Sequence, residues 1–192
     1  MKGFLFTAVM GFFLTGALSG CCPVQHDGDH AGRVVDAETG EPIEEAVVLG
    51  TWDFISLSAA GALHSFYDAE ETITDARGNF TVPGRGFMFL SCLDSMYATV
   101  FKTGYECRSI RWDVLKEGYG RRNNFRLEGE IPVIPLRKLT MEERKKQYVP
   151  GPPSEKNWEN FPIYMKEINR NELELGRESY SMEKEKLDED FM

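Results

Sequence analysis

The sequence predicts an all-β domain from about Gly32 to residue 128, preceded by an apolar leader and followed by a partly helical polar tail. Three stretches carry that prediction. In Glu71-Thr-Ile-Thr-Asp-Ala-Arg-Gly-Asn-Phe-Thr-Val-Pro83, Ile73 lies before a polar turn and Phe80 and Val82 lie after it, with the alternation of half-buried strands. Asp75 can accept a hydrogen bond from a backbone N–H two residues on, and Gly78 can take positive φ, so the chain reverses and a hairpin is expected. Between residues 32 and 49, Val34 and Val35 form a strand, and Asp36, Thr39, Gly40 and Pro42 supply a turn. The strand that follows from Ala46 sets Val47 and Leu49 against Val48 and Trp52, as expected where both faces are covered. Between residues 107 and 114, Cys107, Ser109, Arg111 and Asp113 alternate with Arg108, Ile110, Trp112 and Val114, giving one polar and one apolar face.

From the N-terminus, Lys2 is the one cation before Phe4-Leu-Phe-Thr-Ala-Val-Met-Gly-Phe-Phe-Leu14, and small residues follow, which is the pattern of a secretory signal over residues 1–20. The apolar run is shorter than the roughly 20 residues that a membrane helix needs. Leu18-Ser19-Gly20-Cys21 resembles the bacterial lipobox. That resemblance implies a diacylglyceryl group on the Cys21 sulfur, cleavage before Cys21 and acylation of the new amine, hence a mature protein tethered in the cell envelope. Each buried methylene contributes about 0.8 kcal/mol, so such a tether releases very slowly. Cys22 instead of Asp after the modified residue implies, by analogy, the outer membrane of a Gram-negative bacterium. The same residues also fit an ordinary cleaved signal whose mature chain begins with Cys21 and Cys22.

Beyond the leader, the 192-residue chain keeps enough residues for one ordinary core. A net charge of −9 argues against nucleic acid, because counterion release needs a basic face. The charges are mixed in sign, without the polybasic block of an electrostatic membrane contact. Residues 21–31 read as a solvated tether. It contains His26-Asp-Gly-Asp-His30, four side chains of metal-ligating type, but a flexible segment must be ordered as it binds, and no metal or other cofactor is expected.

Gly-x-Val-x-Asp-x-x-Thr-Gly-x-Pro-Ile-x-x-Ala-x-Val, present from Gly32 to Val48, is followed by Thr-Asp-x-x-Gly-x-Phe from Thr74 to Phe80 and by Val100-Phe-Lys-Thr-Gly-Tyr-Glu106. Together these resemble the carboxypeptidase regulatory-like module. The resemblance covers residues 32–127 and implies a seven-stranded antiparallel β-sandwich of the transthyretin-like kind, generally an appended, non-catalytic domain. The chain departs from it at residues 53–68, where the module has a short crossing. Phe54, Ile55, Leu57, Leu63, Phe66 and Tyr67 are too apolar for an idle loop, so this insert either packs over a sheet edge or forms a recognition surface.

Residues 83–86 read as a turn and 87–93 as a short apolar strand or buried crossing. The glycines around Arg85 lack the ending of a phosphate loop. Residues 97–102 form the next strand, and a turn at 118–124 leads to a last strand at 125–127. Cys92 and Cys107 remain once Cys21 and Cys22 are set aside. In an oxidising compartment they either form a disulfide, contributing about 3 kcal/mol, or are two small buried hydrophobes. Cys22, beside the lipid, is expected to have no structural role. Ile131-Pro-Val-Ile-Pro-Leu136 leaves the sandwich as an extended segment. Thr140 and Glu143 make a capping box for a short helix, Ser154 can cap a turn holding Trp158, and Pro162 opens a helix that Gly176 ends. Ile163, Ile168, Leu173 and Leu175 give that helix a broken apolar stripe, and residues 181–190 read as frayed.

No catalytic arrangement is expected. None of the three histidines has the spacing of a zinc-peptidase motif, no nucleophile elbow is present, and neither sandwich cysteine has an evident base. His64 beside Tyr67 and Asp68 reads as a loop hydrogen-bond cluster. Two function classes remain: a lipid-anchored binding or scaffolding module using the insert, a sheet edge or the tail, and a structural subunit of an envelope or secretion assembly docking through its tail. An envelope protein is the expected partner. Carbohydrate stacking on Trp52, Trp112, Tyr97 or Tyr105 is a minority reading, since such aromatics usually belong to the core.

Overall fold

A computed structural model describes residues 24–58, 61–89, 92–116, 126–151 and 160–178. The leader with Cys21 and Cys22, the turn at 118–124, Phe125, the segment with Ser154 and Trp158, and the end at 181–190 lie outside them, as does the side chain of Leu57. The described strands are β1 (Val24–Asp27), β2 (His30–Asp36), β3 (Val47–Ser58), β4 (Gly61–Ile73), β5 (Asn79–Val82), β6 (Gly86–Phe89), β7 (Tyr97–Phe101), β8 (Arg108–Arg111), β9 (Arg126–Glu128) and β10 (Ile131–Leu136). The helices are α1 (Trp112–Lys116), α2 (Met141–Lys146) and α3 (Pro162–Glu174).

Val47 and Val48 fix the layering: both are buried, yet neighbouring residues of a strand point to opposite faces. On the Val48 side, one sheet in the order β4-β3-β7-β8 meets another in the order β5-β2-β10-β9. Val34, Trp52, Phe80, Val82, Val100 and Ile134 are among the residues filling the space between them. On the Val47 side, Leu49 and Phe101 pack against Phe161, Tyr164, Met165 and Ile168 of the α3 region. The fold is thus mostly β and sandwich-like, with a helix covering the outer face of the β3 sheet. That cover explains why β3 carries apolar residues on both sides.

The turn at 75–78 forms with the expected chemistry. The Asp75 carboxylate accepts from the Asn79 and Arg77 amides, both at 2.8 Å, and these bonds hold its carboxyl below the usual range. Gly78 has φ 75°, and a Cβ there would collide with the Val34 carbonyl oxygen. The flanking strands, however, do not pair as a hairpin. β4 pairs with β3 and β5 with β2, so the turn carries the chain from one sheet to the other. Thr74 anchors this crossing, its buried hydroxyl donating to the Ile43 carbonyl at 2.6 Å and accepting from the Ala46 amide at 2.8 Å.

Several other expectations are corrected. Val24–Asp27 of the expected tether pairs with β6 as a two-stranded ribbon, and His30 is buried in β2. Ile131–Leu136 does not leave the sandwich: it lies between β2 and β9 and runs parallel to β2, so the sandwich exceeds seven strands and is not wholly antiparallel. Pro132 and Pro135 disguise it as an exit, but Val133, Ile134 and Leu136 are fully buried, as in strands covered on both faces. β8 stops at Arg111 because Trp112 and Leu115, both core residues, are brought inward by the turn of α1. The α3 stripe is Phe161, Tyr164, Met165, Ile168 and Asn171, while Ile163 and Leu173 are exposed.

Cys92 and Cys107 do not bond to each other. Cys92 is disulfide-bonded, whereas Cys107 is a free thiol. Cys92 meets β3 at Ile55, but Cys107 follows the end of β7 that lies beside Val47. At roughly 3.3 Å per residue that length of strand spans about 26 Å, far beyond the ~6 Å Cα separation that a disulfide bridges.

The tail is fastened to the sandwich by polar contacts. Thr140 and Glu143 make the expected capping box at α2. α3 has no capping side chain of its own; Glu71 of β4 accepts from the Ile163 and Tyr164 amides at 2.9 and 2.8 Å instead. Glu167 accepts from the Thr103 amide at 2.7 Å, and buried Arg144 of α2 reaches Asn171 and Glu174 of α3.

Candidate functional site

Residues 53–58 and 61–68 are not a loop. β3 and β4 continue through them as a paired arm, with register running from Asp53↔Phe66 to Ser58↔Gly61. Aromatic and β-branched residues favour this extended form, and the register shifts once, at Trp52/Asp53, as at a β-bulge. The six apolar residues singled out in the sequence therefore divide. Phe54 and Tyr67 pack on the core at the base of the arm, with ring centroids 4.3 Å apart. Ile55 is half-buried, while Leu63 and Phe66 are 58% and 42% exposed.

The base of the arm is rigidly held. Phe54 bridges to Leu93, the Ile55 amide donates to the Cys92 carbonyl at 2.8 Å, and the Asp94 amide donates to the Asp53 carbonyl at 2.8 Å. Arg85, placed by the β5–β6 turn, stacks over the Trp52 ring at 4.3 Å and pairs with Asp68 and Glu70 of β4. Arg85 could not be found from local pattern, because its partners on β3 and β4 are brought to it only by the fold.

His26-Asp-Gly-Asp-His30 is spread over several partners. His26 stacks on Phe87 at 4.5 Å, Asp27 pairs with His30 at 3.0 Å, and Asp29 accepts from the Gly84 amide at 3.1 Å. Burial raises the Asp27 carboxyl, but the His30 bond and the Arg85 amide outweigh it and leave it below its usual value. His30 itself lies against the rings of Trp52 and Trp112. Among the described residues no group of three or more metal-ligating side chains converges.

His64 does not join Tyr67 and Asp68. Its Nδ1 lies 3.4 Å from buried Asp94, which also faces Arg111 at 3.5 Å. The register sets His64 opposite Ile55, whose amide binds the Cys92 carbonyl, and the segment that follows brings Asp94 beside it. Trp52 and Trp112 are core residues and Tyr97 and Tyr105 are half-buried, so the two tryptophans present no stacking platform. A second surface lies along α3, an open groove of about 720 Å³ bordered by Ile73, Ile163, Lys166, Arg170 and Leu173. No described helix is long and apolar enough to cross a membrane.

No protein-family model matches the chain, and no curated protein matches it. Among solved structures, a streptococcal ancillary pilin is similar at 13% identity and a TM-score of 0.30, over 59% of this chain. This chain spans 30% of that pilin chain. So slight a likeness assigns neither fold nor role.

Proposed function

We propose that the chain is a non-catalytic, lipid-anchored cell-envelope protein, tethered through Cys21, whose carboxypeptidase regulatory-like sandwich presents the β3–β4 arm to a partner protein. The supporting observation is the contrast within the arm: Phe54 and Tyr67 fix its base, while Leu63 and Phe66 remain exposed beyond it. A rigid base lowers the ordering cost of binding, and exposed apolar side chains supply the contact. The lipobox-like Leu18-Ser19-Gly20-Cys21 supports the anchor, and the absence of a catalytic motif supports the non-catalytic role.

The α3 groove favours a second reading, a structural subunit docking through its tail, because Ile73, Ile163 and Leu173 are exposed beside one another there. A photo-crosslinking amino acid placed at Leu63 or at Ile163 in intact cells separates the two. The arm reading expects a discrete protein adduct from Leu63 and none from Ile163. An adduct from Ile163 alone contradicts it and supports docking through the tail.

A further inference from the structure

β1 and β6 pair Val24 with Phe89 and His26 with Phe87. Directly opposed residues of an antiparallel ladder share a face, so these four side chains form one surface. Gln25 and Met88 occupy the other face and turn inward. The Gln25 amide brackets the Leu93 backbone at 2.9 and 3.0 Å, and the Tyr67 hydroxyl meets the Met88 sulfur at 3.9 Å. The outer face is open, with Val24 56%, Phe87 67% and Phe89 68% exposed. It carries no carboxylate, because Asp27 is drawn inward by His30 and the Arg85 amide. Two phenyl rings held in water on one fixed ribbon mark an interaction surface.

The position of the ribbon in the chain identifies what it meets. Cys21 precedes Val24 by three residues, a reach of about 10 Å at full extension. Acyl chains on Cys21 therefore hold the ribbon at the headgroup layer, where apolar side chains on an otherwise polar element settle about 5–10 Å deep. We propose that Val24, His26, Phe87 and Phe89 lie in the interfacial layer of the membrane that holds the lipid, so that the sandwich keeps one orientation on the bilayer instead of swinging on a tether. This rests on acylation of Cys21. It also places the base of the arm, joined to the ribbon through Leu93, close to the membrane surface.

The test uses the full acylated protein in vesicles of phosphatidylethanolamine and phosphatidylglycerol with brominated acyl chains. Phe87→Trp and Phe89→Trp each place a reporter on the face, and Tyr148→Trp, at a position 80% exposed, serves as the control. The added indole at position 87 or 89 is expected to lose most of its fluorescence to bromine, while the one at 148 keeps its own and stays open to aqueous iodide. Unquenched emission from positions 87 and 89 in protein that still floats with the vesicles overturns the proposal and leaves the anchor standing. Shielding from iodide that rises with protein density, without bromine quenching, assigns the face to a second copy and also overturns it. Protein that neither floats nor carries acyl mass removes the anchor and the proposal together.

Discussion

Cys107 packs against the cluster that includes Phe101 and Tyr164, and burial pushes its thiol up to about 12. A thiol so raised holds little thiolate near neutral pH and is a poor nucleophile. With a maleimide at pH 8, Cys107 in the folded protein is expected to label on the order of tenfold or more slowly than in urea; equal rates would show that the thiol is not covered. The turn residues Asp36, Gly40, Asp75 and Gly78 were legible in the sequence because their partners lie within a few positions. The partners of Arg85 and His64 were not, because strand order and register bring them together from distant parts of the chain.

At the scale of elements, α3 depends on a side chain outside itself. Glu71→Ala removes the acceptor for the Ile163 and Tyr164 amides and is expected to cost about 1–2 kcal/mol. Hydrogen exchange should then quicken across Pro162–Glu174 while β3 and β7 stay protected; unchanged exchange in α3 would contradict the cap. α2 responds to acid instead. The Thr140 amide and hydroxyl and the Arg137 guanidinium lower the Glu143 carboxyl from its ordinary 4.5 to about 2. The folded-state value is depressed, so this contribution is complete above about 4.5 and is lost as pH falls toward about 2. As pH falls through that window, protection of the Met141–Lys146 amides, taken relative to their intrinsic exchange at each pH, should drop, and in Glu143→Gln that drop should largely disappear. The capping box and the ends of α3 were legible from local chemistry. The buried face of α3 was not, since Tyr164 and Met165 were left out of the stripe, and β10 was missed because prolines masked a buried strand.

At the scale of the molecule, Leu93 joins the ribbon to the base of the arm, and the proposed anchor at Cys21 would lie three residues before the ribbon's apolar face. The disulfide at Cys92 bears on it directly. The chain has four cysteines and Cys107 is free, so the partner of Cys92 lies outside the described residues, and the proposed acylation of Cys21 predicts that it is Cys22. Mass spectrometry of detergent-extracted protein, intact and after digestion without reduction, tests both points at once. The expected result is a chain that begins at Cys21, carries diacylglyceryl on that residue, and yields a Cys22–Cys92 linked peptide. An unacylated chain, or a Cys21–Cys92 link, would contradict the account.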